Sequence, residues 1–238
     1  MSKVNKIARF VGIEACKSIF SEKSTFVLRS PEYYRRLCET NEGETGKGDG
    51  AEGTAETPDG GLREFERFVI SCWTILKKDE PTSDDWDIFK KNDQNIVAIV
   101  STPSKVCEFL KKTLETDKGN SKPKFLFHPV KHEEVNYGKV PPVDHTNIID
   151  VVTLYKRKQF IKQQEYRFVL THGWSNLIES FIFCGGIDYM EKCFVNPEMC
   201  KEKKGKLQNI IREAGYGCYG DFKDMKMGDI IANIDDLF

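Results

Sequence analysis

The chain has 238 residues, 39% of them apolar and 31% charged, with a formal net charge of −1. That is the composition of a folded domain with room for a sizeable core. It excludes a global electrostatic field that would recruit nucleic acid or an anionic membrane. No stretch approaches the apolar run that crosses a bilayer, and Met1 to Arg9 lacks the apolar segment of a secretory signal, so a cytoplasmic protein without membrane contact is expected.

In chain order, Lys6 to Val11 reads as a strand, and Ile13 to Phe20 as a helix with Ile13, Cys16, Ile19 and Phe20 on one face. Thr25 to Leu28 is a second strand. Ser30-Pro31 opens a helix over Glu32 to Cys38, with Ser30 as cap and Pro31 at the first position. Residues 39–62 (ETNEGETGKGDGAEGTAETPDGGL) hold seven acids against one lysine and almost nothing apolar, so they predict a flexible acidic, glycine-rich loop within a single domain spanning 1–238.

Order resumes with a strand in Phe65 to Leu76 and a short helix in Asp84 to Lys91 carrying Trp86 and Phe89. Asn95 to Ser101 is a buried strand. Thr102-Pro103 opens a helix to Leu114 with Val106, Phe109 and Leu110 inward. Lys124 to Val130 reads as a strand and Gly138 to His145 as a loop; Val151 to Phe160 is ambiguous. Glu165 to Leu170, Ile178 to Cys184 and Lys192 to Val195 read as strands, and Asn196-Pro197 starts a helix reaching about Ala214, closed by Gly215. Strands outnumber helices without regular βαβ alternation, which favours α+β.

Most chemical signatures are missing. There is no phosphate-binding glycine loop and no serine-hydrolase elbow. None of the eight cysteines forms a C-x-x-C pair, so reduced thiols are expected rather than a zinc site. The four histidines are dispersed, and a Cys–His enzyme has no local signature. Asp84, Asp85 and Asp87 cluster, but at a helix start, where acids complement the helix dipole. A metal-dependent nuclease is therefore a minor reading, and no metal ligand is assigned.

The stretch KQQEYRFVL, Lys162 to Leu170, holds the remaining candidate. Strand alternation puts Tyr166, Phe168 and Leu170 on a core face, and Gln163, Glu165 and Arg167 together on the other, toward solvent or a cleft. A Gln-x-Glu pair at this spacing can address one ligand, and a carboxylate can stabilise an oxocarbenium-like centre. Glu64-x-Glu66 has a similar form, and an exposed strand edge accounts for either.

Several segments together carry a resemblance. They are Ala8-Arg9-Phe10, Phe26 to Pro31, Trp86 with Phe89 before Ile96 to Val100, Arg157 with Phe160 before Glu165-Tyr166-Arg167, and Val195 to Met199. In this order they resemble a bacterial family described only as a domain of unknown function (number two-nine-seven-one), although that family's Asn-Asp-Pro segment is replaced here by Glu32-Tyr33-Tyr34 and the acidic loop. The layout also looks like a degenerate ADP-ribosyltransferase. That resemblance implies two small mixed or antiparallel sheets with flanking helices and NAD, as substrate, between them. It puts Glu165 on the nicotinamide ribose as the catalytic carboxylate, Arg9 on phosphate or adenine ribose, and Tyr33 or Tyr34 on nicotinamide, with Ser30 and Gln163 as further contacts. It implies a toxin or phage-defence effector that modifies RNA, DNA or protein and is held by an antitoxin. The alternative is a non-catalytic binding or regulatory protein of such a module with a decayed site.

Overall fold

The computed structural model describes residues 4–21, 24–40, 52–56, 61–65, 67–89, 97–116, 130–138, 148–171, 180–184, 187–211 and 231–232. Its elements in chain order are β1 (Ile7–Val11), α1 (Ile13–Ile19), β2 (Thr25–Arg29), α2 (Pro31–Thr40), β3 (Thr54–Glu56), β4 (Leu62–Glu64), β5 (Phe68–Ile75), α3 (Ser83–Ile88), β6 (Val97–Ser101) and α4 (Pro103–Thr116). Then come β7 (Lys131–Glu134), β8 (Asn136–Tyr137), α5 (Ile148–Leu154), β9 (Tyr155–Lys156), a 3-10 helix (Lys158–Gln163), β10 (Glu165–Thr171), β11 (Ser180–Cys184), β12 (Lys192–Val195), α6 (Lys201–Ile211) and β13 (Ile231–Ala232). The fold is α+β, and its strand pairing is mainly antiparallel.

Two compact units share the chain: residues 1–26, 74–113 and 183–238 form one, and residues 27–73 and 114–182 the other. In the first, β1 pairs antiparallel with the end of β5 (Ala8↔Thr74) and with β6 (Arg9↔Ile99). β6 pairs antiparallel with β12, and β13 adds a parallel edge. Because paired residues share a face, Ala8, Phe10, Ala98 and Val100 collect on one side, where Leu76 and Trp86 complete a cluster. The Trp86 ring meets Phe10 edge-on at 5.1 Å between centroids. Its short helix starts as expected from an acid-rich first turn: the Thr82 amide donates to Asp85 Oδ2 at 2.8 Å. On the opposite side of this sheet lies Arg9, level with Ile99 and Cys193.

The second unit is organised around β10, which pairs with β5 and, antiparallel, with β7 (Tyr166↔Glu134, Phe168↔His132). β5 alternates as a strand should. Phe68, Ile70 and Cys72 face one way, into a cluster with Val151, Val152, Val169 and Ala55. Trp73 faces the other way, 6.3 Å from Phe168 between ring centroids. Burying each Val, Ile or Phe in such a cluster stabilises the fold by about 1.5–3 kcal/mol.

The structure departs from expectation in three places. Residues 54–56 and Leu62, placed by composition in the acidic loop, instead join Arg63 and Glu64 in the two-stranded β3–β4 ribbon (Thr54↔Glu64, Glu56↔Leu62); residues 41–51 and 57–60 of that loop lie outside the described residues. Asn196-Pro197 forms a turn in which Asn196 Oδ1 accepts the Glu198 amide at 2.8 Å, so α6 starts only at Lys201. The ambiguous stretch from Val151 resolves into the end of α5, β9 and the 3-10 helix. The strand expected in Lys124 to Val130 (apart from Val130), the loop over Gly138 to His145 (beyond Gly138) and the close of α6 near Gly215 fall outside the described residues.

Candidate functional site

Glu165 starts β10, and the residues around it explain the alternation of that strand. The expected core face is present: Tyr166, Phe168 and Leu170 are all buried. The other face is not open. Glu165 is 6% exposed and Arg167 is 0% exposed, so both faces of β10 are sealed. Alternation separates two faces but does not say whether water or protein covers each. Here α5 and the start of the β3 ribbon cover the polar one.

What makes burial of this charge tolerable is a closed set of hydrogen bonds. Lys156 Nζ donates to Glu165 Oε1 at 2.5 Å and to Gln163 Oε1 at 2.8 Å. Arg167 Nε donates to Glu165 Oε2 at 2.9 Å. The terminal nitrogens of Arg167 then take Glu52 in a bidentate grip, at 2.6 and 2.8 Å to its two carboxylate oxygens. The same guanidinium also donates to the Thr153 carbonyl at 2.8 Å. Glu52 is 4% exposed, and its backbone carbonyl accepts from Arg35 Nη1 at 2.8 Å. Arg35 continues to Glu64 at 3.0 Å. Charges thus alternate in space along Glu64, Arg35, Glu52, Arg167, Glu165 and Lys156, three acids against three bases.

This field controls the titration of its members. Burial alone would raise the Glu165 carboxyl, but the Lys156 ammonium and the Arg167 guanidinium outweigh it and hold the group down at about 2. Burial pushes the Cys72 thiol up to about 12, and the Glu165 carboxylate adds to the rise. Tyr137, whose hydroxyl oxygen accepts the Glu165 amide at 2.7 Å, is likewise raised, first by burial and then by Glu165. Arg167 is held charged by Glu52 and Glu165 against the opposing effect of burial.

The residues singled out in the sequence fall into three places. Gln163 and Glu165 do meet on one group, but that group is Lys156, and Gln163 belongs to the 3-10 helix rather than to the strand. Gln164 makes the turn between them in a left-handed conformation (φ 42°), which aims Gln163 and Glu165 at the same ammonium. Ser30 caps α2, its Oγ accepting the Tyr33 amide at 3.2 Å. The Tyr33 ring lies under the Arg29 guanidinium at 4.5 Å, with Tyr34 edge-on to it at 5.5 Å; Tyr34 also packs on the Val151–Val169 cluster. Arg9 belongs to the other unit, its guanidinium 5.6 Å from the Phe26 ring centroid.

Glu52, Lys156, Thr153 and Arg35 were not legible as partners. Glu52 was masked by the acidic composition around it, and Lys156 by an ambiguous segment. One signal was present. Glu165-x-Arg167 places opposite charges on the same strand face, where they neutralise one another.

Among the described residues, no group of three or more His, Cys, Asp or Glu side chains is placed to hold a metal ion, and no helix is long and apolar enough to cross a membrane. Cys16, Cys72, Cys107, Cys193 and Cys200 are free thiols. His132 sits beside Tyr166, with 2.7 Å between Nδ1 and the phenol oxygen; His128, His145 and His172 lie outside the described residues. Comparison with protein-family models, with curated proteins and with solved structures finds no match to this chain.

Proposed function

We propose that this chain acts by binding, as a non-catalytic partner-binding or regulatory protein of the kind found in bacterial defence and toxin–antitoxin modules, and that Glu165 serves its fold. The observation that supports this over ADP-ribosyl transfer is that both oxygens of the buried carboxylate are engaged inside the protein: Oε1 accepts from Lys156 and Oε2 from Arg167. A carboxylate that stabilises a ribose cation must present a free oxygen to that ribose. Glu165 would first have to shed Lys156, leaving a buried ammonium with Gln163 and the Phe160 ring but without its counter-charge, at a cost of several kcal/mol. The resemblance supplies the defence setting, and the geometry supports a structural part for the Gln163–Glu165 pair.

The test is incubation of the full chain with labelled NAD and cell lysate, beside Glu165→Gln. The expected result is no label transfer that depends on Glu165. Transfer of label to RNA, DNA or protein by the wild type, lost in a Glu165→Gln variant that still folds, would establish the transferase reading instead.

A further inference from the structure

The segment between Lys156 and Gln163 leaves the buried ion cluster and returns to it. Lys156 Nζ donates to Gln163 Oε1 at 2.8 Å, which ties the two ends together. Midway, Phe160 is buried, with Lys156 Nζ 4.7 Å and the Arg157 guanidinium 5.5 Å from its ring centroid. The Gln164 amide donates to the Ile161 carbonyl at 3.3 Å and closes the 3-10 helix. The segment is thus pinned at both ends and in the middle.

The pinning sorts its side chains. In a 3-10 helix, residues three apart eclipse one another. Phe160 and Gln163 share one edge, and both are buried. Lys158 and Ile161 share the second edge, Gln159 and Lys162 the third, and all four are exposed. Arg157, just before the helix, is exposed as well.

The exposed edges carry charge of one sign around an apolar side chain. Residues 155–164 include Lys156, Arg157, Lys158 and Lys162 and no acid. Strand β8, which pairs with β9 and packs beside the 3-10 helix, brings none either. Among the described residues, Lys158 and Lys162 have no ion-pair partner. Ile161 is 50% exposed; only Ile149 and Ile182 are comparably exposed large apolar side chains among the described residues.

A loose segment would let these cations spread apart in water. The Lys156–Gln163 bond and the Phe160 anchor hold them beside Ile161 instead. Side chains ordered before contact lose less entropy on contact, so such a surface is prepared for binding. An aliphatic side chain among cations matches a protein surface that offers an apolar group among carboxylates. On RNA or DNA the cations would meet phosphates, but Ile161 would meet no apolar partner there. A bilayer needs a broader apolar face than one side chain.

We propose that the outer edges of the 3-10 helix, with Arg157, are a docking surface for an acidic protein segment that sets an apolar side chain on Ile161 and carboxylates on Arg157, Lys158 and Lys162. The buried cluster of Lys156, Gln163 and Glu165 is then the mount of this surface. The inference rests on the partner-binding reading and names the chemistry of the partner. The NAD assay tests that reading and a peptide titration tests this surface, so either can fail alone.

The titration adds the full chain to a fluorescein-labelled peptide of Glu-Glu-Leu repeats, and to one of Glu-Glu-Ser repeats, at low ionic strength, with fluorescence anisotropy as the readout. The leucine peptide should bind saturably and at least about fivefold tighter than the serine peptide. Ile161→Ser should abolish that preference. Lys158→Glu with Lys162→Glu should weaken both peptides by at least about tenfold. Lys111→Glu with Lys201→Glu, exposed lysines of the other unit, should change neither. No saturable binding of the leucine peptide, equal binding of the two peptides, or an equal loss in the Lys111 and Lys201 variant overturns the proposal. So does tighter binding of poly-uridylate RNA or of phosphatidylserine vesicles than of the leucine peptide.

Discussion

Replacing Glu165 by glutamine tests the ion cluster directly. The change keeps shape and volume but swaps one accepting oxygen for an NH2 group, which must point at either Lys156 or Arg167. Removing one partner of a buried ion pair costs about 3–5 kcal/mol. The titration of the wild-type group gives a second route to the magnitude. Its folded pKa is lowered from 4.5 to about 2, a difference of about 2.5 units, which corresponds to roughly 3 kcal/mol. The sign follows from the direction of the shift. A carboxyl with a depressed folded pKa contributes stability above its unfolded value, and that contribution is lost as pH falls from 4.5 toward 2. Urea unfolding of wild type and Glu165→Gln should therefore differ by about 3 kcal/mol at pH 7, and the difference should shrink steadily below pH 4.5. A difference under about 1 kcal/mol at pH 7, or one that does not change between pH 5 and pH 3, would refute the view that Glu165 is buried in a field of two cations.

Other substitutions probe the pieces that position the cluster. Gly53 has φ +70°, and a Cβ there would lie 2.4 Å from Pro31 Cβ, so Gly53→Ala should cost at least about 2 kcal/mol in urea unfolding. Gln164 holds a left-handed backbone at φ 42°, so Gln164→Gly should be neutral or stabilising by up to about 1 kcal/mol in the same assay, unlike glycine at an ordinary strand position. Ser30→Ala should cost about 1 kcal/mol through loss of the α2 cap. Burial raises the thiols of Cys16 and Cys72 to about 12, so iodoacetamide at pH 8 followed by mass spectrometry should label exposed Cys200 well before either of them.

The sequence was informative where local rules decide the outcome. Ser30-Pro31 opened α2, the acid-rich start of α3 used Asp85 to hold the Thr82 amide, and Val106, Phe109 and Leu110 turned inward on α4. Alternation held from Glu165 to Leu170, while Gln163 proved to lie outside the strand, in the 3-10 helix. The expectation of an open polar face did not hold, because a strand pattern of polar and apolar side chains looks the same whether the polar side meets water or a matched set of charges. The matching charges came from segments whose composition hid them. Glu52 was one of seven acids in a stretch with almost nothing apolar, and nothing local marked it as an acid that would be buried. Lys156 lay where helix and strand signals overlap, at the point where α5 passes into β9. Long-range electrostatic pairing leaves no periodic trace.

The 115-residue span between Glu52 and Arg167 also sets an order of events during biosynthesis. At a synthesis rate of 5–20 residues per second, Glu52 is made roughly 6–23 seconds before its partner. Local elements such as α2 form within microseconds, so the N-terminal part of the chain has its helix long before it has its counter-charge. Until β10 emerges, Glu52 is better left in water than enclosed. The acid-rich, polar surroundings of Glu52 keep it hydrated through that interval, and its burial then marks the completion of the chain that supplies Arg167.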